Sequence, residues 1–419
     1  MTYTVKNVHA REVLDSRGNP TIEVEVYLSN GWWWKAIVPS GASTGIHEAL
    51  ELRDNDPKRY LGKWVLKAVQ NVNETINNEI EYKEFKDQSD LDKFLIDLDW
   101  TKNKSKLWAN AILWVSMAFA VACAISEGKK LYEHLWNKQW NVLPIPMMNI
   151  LNWGSHADNS VDIQEFMIIP VGAKNIQEAV RMWSEVFHNL KKILKSEWYS
   201  TSVWDEWGYA PNLKSNEEAL QIIVKAIQQA GYNTDQIKLG IDAAASEFYK
   251  DGKYVLEWEW KTLNASELVK LYESRVEKYP IILIEDWHAE DDFEWRKEMN
   301  EKLWKKIINV WDDIFVTNME RLQMWIDQKL ANAILIKLNQ IWTVTETIDC
   351  IKMAYENWMN CVISHRSGET EDTFIADLAV AMNTGYIKTG SLSRTDRVSK
   401  YNQLMRIEER LWEKAKYWK

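Results

Sequence analysis

Ile281-Ile282-Leu283-Ile284-Glu285 is an apolar run closed by a polar functional residue, and this design recurs along the second half of the chain. It returns in Ile237-Lys238-Leu239-Gly240-Ile241-Asp242, Ile307-Ile308-Asn309-Val310-Trp311-Asp312, Ala333-Ile334-Leu335-Ile336-Lys337 and Cys361-Val362-Ile363-Ser364-His365. Continuous apolar runs of this length read as buried parallel strands, covered on their faces by helices. Most are followed by a helical stretch, and they are spaced by roughly 25 to 45 residues, the length of one strand-helix unit. Polar functional residues at successive strand C-termini mark a (β/α)8-type barrel. The fold class expected is therefore α/β.

Working outward, the first 30 residues alternate in the manner of strands, most clearly Thr21-Ile22-Glu23-Val24-Glu25-Val26-Tyr27-Leu28. A polar loop, Pro39-Ser40-Gly41-Ala42-Ser43-Thr44-Gly45, separates them from a mainly helical segment reaching to about residue 135. Strands followed by helices make an α+β unit. The expected division is an N-terminal α+β domain over 1–135 and a barrel domain carrying the active site over 140–419.

Composition narrows the classes. The chain has 419 residues, 46% hydrophobic and 27% charged, as in a globular protein. Its net charge of −10 argues against nucleic acid as the main partner, which would need a basic face. Three cysteines without framework spacing point to a reduced, intracellular setting. The N-terminus lacks the apolar core of a signal peptide. The longest apolar stretch, Ala109 to Ile125, carries Asn110, Ser116 and Cys123 and reads as a buried helix rather than a membrane span.

Asp242, Glu285 and Asp312 each close an expected strand, so a barrel would gather three carboxylates at one mouth. Such hard oxygen ligands suit Mg²⁺. One acid at a strand end is as readily a helix cap; three in succession, followed by Lys337 and His365 at the next two ends, favour a metal site. Lys337 beside a dication would have its ammonium disfavoured and its pKa lowered towards that of a general base. Glu290-Asp291-Asp292 reads as a solvated turn, and His9, His47, His134, His188 and His288 as surface or core histidines.

Several longer motifs add a family resemblance. Lys337-Leu338-Asn339-Gln340-Ile341, Ser364-His365-Arg366-Ser367-Gly368-Glu369-Thr370-Glu371-Asp372-Thr373 and Ile387-Lys388-Thr389-Gly390 resemble the signatures of the enolase family. So do Asp15-Ser16-Arg17-Gly18-Asn19-Pro20-Thr21, the loop from Pro39, and Asp162-Ile163-Gln164-Glu165-Phe166-Met167. The match runs essentially from end to end. It implies an enolase-type barrel preceded by a three-stranded sheet with helices, and dehydration of 2-phosphoglycerate to phosphoenolpyruvate in glycolysis and gluconeogenesis. It further implies two Mg²⁺ ions per site, one conformational and one catalytic. Asp242, Glu285 and Asp312 would hold the first and Ser40, on a mobile loop, part of the second. Lys337 would be the base and Glu206 the acid, helped by Glu165. His156, His365, Arg366, Ser367 and Lys388 would bind the phosphate and carboxylate. A cytoplasmic homodimer or higher oligomer is implied, with an additional cell-surface or secreted pool as in the family. The competing readings are another acid dehydratase or racemase of the superfamily, and a non-catalytic binding or structural protein.

The chain holds 25 tryptophans against 15 glycines. Trp64, Trp100, Trp108, Trp153, Trp183, Trp204, Trp207, Trp287, Trp311, Trp342 and Trp358 stand where the family has, or commonly has, glycine. So one-way a pattern implies decoding rather than drift. The expectation is that UGA codons mean glycine in this gene but are written as tryptophan, while glycines with ordinary codons, such as Gly18, Gly41, Gly45, Gly368 and Gly390, survive. Trp295 and one of Trp32–Trp34 fit as genuine tryptophans. Read literally, the chain is expected to misfold or be inactive, because overpacking costs about 1–3 kcal/mol per event; Trp204 and Trp207 in particular would crowd Glu206.

Overall fold

The computed structural model of the chain describes residues 2–41, 48, 51–101, 103–135, 141–152, 162–204, 206, 208–290, 292, 298, 302–328 and 331–418. Strand β1 (Tyr3–Leu14) pairs antiparallel with β2 (Pro20–Leu28), and β2 with β3 (Trp33–Ile37). The two-residue β4 (Glu84–Phe85) joins the free edge of β1, adding a short fourth strand to the three implied by the sequence. Alternation sorts the faces. Ile22, Val24 and Val26 are buried beneath helix α2 (Ala109–Ser126), which follows α1 (Gln88–Asp99). The opposite face of β2 carries Glu23, paired with Lys35 at 2.6 Å, and Glu25, paired with Arg11 at 2.8 Å.

Helix α2 is apolar all round because protein surrounds it. It alone among the described residues is long and apolar enough to cross a membrane, yet 83% of it is buried inside the protein. Asn110 and Ser116 are satisfied within that interior: Asn110 Nδ2 donates to Leu52 O at 3.1 Å, and Ser116 Oγ accepts from Val344 N at 3.0 Å.

Eight strands close the barrel: β5 (Ile145–Asn152), β6 (Glu165–Ile169), β7 (Lys238–Asp242), β8 (Ile281–Glu285), β9 (Ile308–Trp311), β10 (Ala333–Ile336), β11 (Asn360–Ser364) and β12 (Gly385–Lys388). Neighbours pair in parallel except around β6, which runs antiparallel to both β5 and β7. That reversal puts the first residue of β6 at the mouth where other strands end: Glu165 lies opposite both Asn152 and Asp242. Ile145, Met147, Met167, Ile169, Leu283, Val310, Leu335 and Val362 fill the barrel interior, leaving the strand C-termini to polar side chains. Four of the surrounding helices start where the sequence supplies a capping oxygen. Asn175, Ser215, Asn264 and Thr343 accept from the backbone N–H three residues on, and Asn264 with Glu267 forms a complete capping box.

The N-terminal segment reaches onto the barrel mouth. Asn339 Nδ2 donates to Pro39 O at 3.1 Å, and Ile37 N donates to Asp372 Oδ2 at 3.0 Å.

Candidate active site

Asp242 and Glu285, in register at the ends of β7 and β8, are both buried. Lys388, ending β12, spans the barrel to meet them: its Nζ lies 2.9 Å from Asp242 Oδ2, 2.9 Å from both Glu285 oxygens and 3.1 Å from Glu165 Oε2. Lys337, just beyond β10, pairs with Asp312 Oδ2, whose other oxygen accepts from Gln340 Nε2 at 2.8 Å. Gln340 is itself oriented by Thr317 Oγ1, which donates to it at 2.9 Å. Every acid of the expected trio therefore carries a lysine.

Electrostatics follow from burial and crowding. Desolvation, then the charge of Asp242, raises the Glu285 carboxyl well above its ordinary value. Desolvation also raises Asp242, with Lys388 opposing and Glu165 adding to the rise. At Asp312 burial pushes up, but the Lys337 charge and the hydrogen bonds from Lys337 and Gln340 prevail and hold it below the usual range. Burial favours the neutral amine at Lys337, yet Asp312 outweighs it and the pKa rises. The sequence expectation, argued for a lysine beside a dication, was the opposite direction; the Asp312 carboxylate is what reverses it. His365 is driven well down by burial and then by the Arg397 guanidinium, which contacts its Nδ1 and donates to Arg366 O at 2.6 Å and Ser367 O at 2.7 Å.

Across the mouth, Asn149 on β5 donates from Nδ2 to Glu165 Oε2 at 2.8 Å and to Glu206 Oε2 at 3.0 Å. Glu206 Oε2 also stands 3.5 Å from His365 Nε2, and its backbone carbonyl accepts from Ser391 N at 3.0 Å. Arg366 pairs with Glu48 of the N-terminal segment at 2.8 Å and with Asn339 Oδ1 at 3.1 Å. Glu165, Glu206, Asp242, Glu285, Asp312, Lys337, His365, Arg366, Ser367 and Lys388 all line one cavity of about 150 Å³.

Two family descriptions match this chain: "Enolase, N-terminal domain" over residues 5–135 and "Enolase, C-terminal TIM barrel domain" over residues 140–419. The chain belongs to the enolase family. Enolases are metal-dependent, and the buried acids suit an ion: ligand atoms of Glu285, Asp286 and Asp312 lie within 4.8 Å of one another. Buried carboxylates, two of them raised by desolvation and then by neighbouring charge, are a donor set a hard dication neutralises.

Ser40, expected at the site, stands apart from this arrangement. Ser40 does not line the cavity; its Oγ donates to Asp15 Oδ2 at 3.0 Å and its backbone pairs with Gly368. His156 lies outside the described residues, as do Trp153 and Trp207. Trp204 is 47% exposed. Glu290 lines the cavity and Asp292 accepts from Tyr254 OH at 2.7 Å, so these two acids are not simply solvated as foreseen, and Asp291 lies outside the described residues.

Sequence reasoning passed over Asp286 and Asp313, which line the same cavity. Asp286 accepts from the backbone N–H of Asp312 at 3.0 Å and of Asp313 at 3.4 Å. Burial and the neighbouring Asp312 charge raise it to about 8. The signal was the acid doublets themselves, Glu285-Asp286 and Asp312-Asp313, of which only the first members were chosen.

Proposed function

We propose that this enolase-family chain reversibly dehydrates 2-phospho-D-glycerate to phosphoenolpyruvate and water. One observation carries the reading: Lys337 and Glu206, from opposite parts of the barrel, face one small cavity whose wall also holds the three strand-end acids. Lys337 Nζ takes the proton from C2, and the Glu206 carboxyl gives a proton to the hydroxyl leaving C3. Asn149 ties Glu206 to Glu165 and so fixes the acid in place. Arg366, Ser367, His365 and Lys388 supply donors for the phosphate and carboxylate. Asp242, Glu285 and Asp312 would hold Mg²⁺, whose charge makes a proton beside a carboxylate removable, a pairing of lysine base and metal familiar in the enolase superfamily. With Asp312 held by an ion, Lys337 would lack the carboxylate that favours its charged form, and its amine would serve as the base. Likewise Lys388 would be free to meet substrate anions if an ion neutralised Asp242 and Glu285 in its place. A second ion calls for Ser40 to leave Asp15. A homodimer or larger oligomer in the cytoplasm completes the reading.

The test is formation of phosphoenolpyruvate from 2-phosphoglycerate by the chain made with glycine at the eleven positions named above. Activity should vanish on chelation and return with Mg²⁺. Lys337→Ala should lower it by about 10²–10⁴-fold. Full activity in that variant sinks the mechanism; a folded chain inactive on this substrate but active on another hydroxy acid replaces the substrate.

A further inference from the structure

Among the described residues, five helices end in the same hydrogen-bonded motif, and the residue at its left-handed position differs among them. In the motif the N–H of that residue bonds the carbonyl three back, while the next N–H reaches five back. Gly128 bonds Ile125 O while Lys129 bonds Ala124 O; Gly231 and Tyr232 do the same with Gln228 and Ile227, and Asn383 and Thr384 with Val380 and Ala379. Trp198 with Tyr199, and Trp358 with Met359, repeat the pattern bond for bond. Their φ values, 64° and 61°, fall beside 69° and 86° for the two glycines and 51° for the asparagine. Glycine has no Cβ to clash there and asparagine tolerates the region, whereas a bulky side chain is an outlier. Nor does packing compensate, for Trp198 is 96% and Trp358 94% exposed.

The pattern extends beyond helix ends. Tryptophan supplies 25 of 419 residues, yet 7 of the 18 non-glycine residues with positive φ among those described: Trp100, Trp108, Trp198, Trp260, Trp342, Trp358 and Trp412. Trp108, at φ 71° and ψ 150°, and Trp412, at φ 49° and ψ −127°, lie outside even the left-handed helical well, where glycine is almost the only occupant. Trp260 turns the hairpin between Lys253–Leu256 and Lys261–Leu263 while 93% exposed. A second observation is independent of the backbone. The buried indole N–H groups of Trp64, Trp183, Trp287 and Trp342 have no hydrogen-bond partner. A buried indole normally finds one.

We infer that the working polypeptide carries glycine at positions 100, 108, 198, 260, 342, 358 and 412, because its own cell decodes UGA as glycine. Positions 198, 260 and 412 are assigned by the backbone alone; no sequence motif pointed to them. The proposal concerns which polypeptide is made and holds whatever reaction it performs.

Tandem mass spectrometry of the protein purified from its source cells tests it directly. Peptides across the seven positions should read glycine, each lighter by the difference between tryptophan and glycine, and the gene should carry UGA at all seven. Tryptophan in any of these peptides, or UGG at any of these codons, overturns the assignment. Two synthetic genes give a second test, one encoding tryptophan and one glycine at the seven positions. The glycine form should unfold cooperatively at the higher temperature, or be the only one that folds. Equal cooperative melting of both forms overturns the inference.

Discussion

Asp286 shows how one side chain governs a site it was not expected to serve. Its backbone sits at φ 41°, fixed by Ala245 N donating to its carbonyl at 2.8 Å and by its own N–H on Val310 O at 3.2 Å. So held, its carboxyl grips the two N–H groups that follow β9 and sets where Asp312 points. Removing such a support typically weakens metal affinity by about 10–100-fold. Asp286→Ala in the glycine-bearing chain should therefore lower Mg²⁺ affinity by that factor in calorimetric titration, with the far-ultraviolet spectrum unchanged. Affinity equal to the parent's would mean that Asp312 is positioned by Gln340 and Lys337 alone. The neighbouring lysines carry a related lesson. From spacing, Lys337 and His365 could be placed at the mouth, because strand ends converge there. Which carboxylate each lysine would meet could not be read, since partners arrive from across the barrel.

At the scale of elements, what was legible was periodicity, and what was not was direction. Five barrel strands announced themselves as apolar runs closed by a polar residue. Strand β6 escaped that reading because it runs backwards, so its functional residue, Glu165, opens the strand instead of closing it. Helix ends were illegible for another reason: where a glycine usually marks a C-terminus, a tryptophan with positive φ follows Gln88–Asp99, Leu338–Ile341 and Thr395–Leu411. The cost of a side chain at such an end can be isolated at Gly231, where a Cβ would meet nothing within 4 Å. Only the backbone term remains, about 1–2 kcal/mol for an L-residue in the left-handed region. Gly231→Ala should thus lower the unfolding free energy by that amount, read as a lower urea midpoint at unchanged slope. No shift would remove the energetic ground for reading the seven tryptophans as glycine. Seven such terms reach about 7–14 kcal/mol, the whole of the 5–15 kcal/mol by which a domain is typically stable.

For the whole molecule, the join between the N-terminal segment and the barrel is itself a charge problem with a pH signature. Helix Val344–Glu356 of the barrel is received by residues from the N-terminal half: Val344 N donates to Ser116 Oγ at 3.0 Å, Lys104 Nζ pairs with Glu346 at 2.6 Å, and Thr345 donates to Asp92 Oδ2 from N at 2.9 Å and from Oγ1 at 2.6 Å. An acid at a helix N-terminus is normally favourable. Here burial outweighs the donors: desolvation, only partly opposed by hydrogen bonds from Ser116 and Thr345, lifts Asp92 from 3.8 to about 6. Because the folded pKa lies above the unfolded one, the folded state binds the proton more tightly. The stability tied to that proton is fully present below pH 4 and is lost as pH rises through about 6. Asp92→Asn keeps an oxygen for Thr345 and never ionises, so it escapes the loss. Its stability relative to the parent should climb between pH 4 and pH 7, by at most about 3 kcal/mol at 1.36 kcal/mol per pKa unit. Urea unfolding of both forms across that range measures the climb. A difference that stays level with pH would show that Asp92 is ionised throughout, with the helix terminus and its donors outweighing burial at the join.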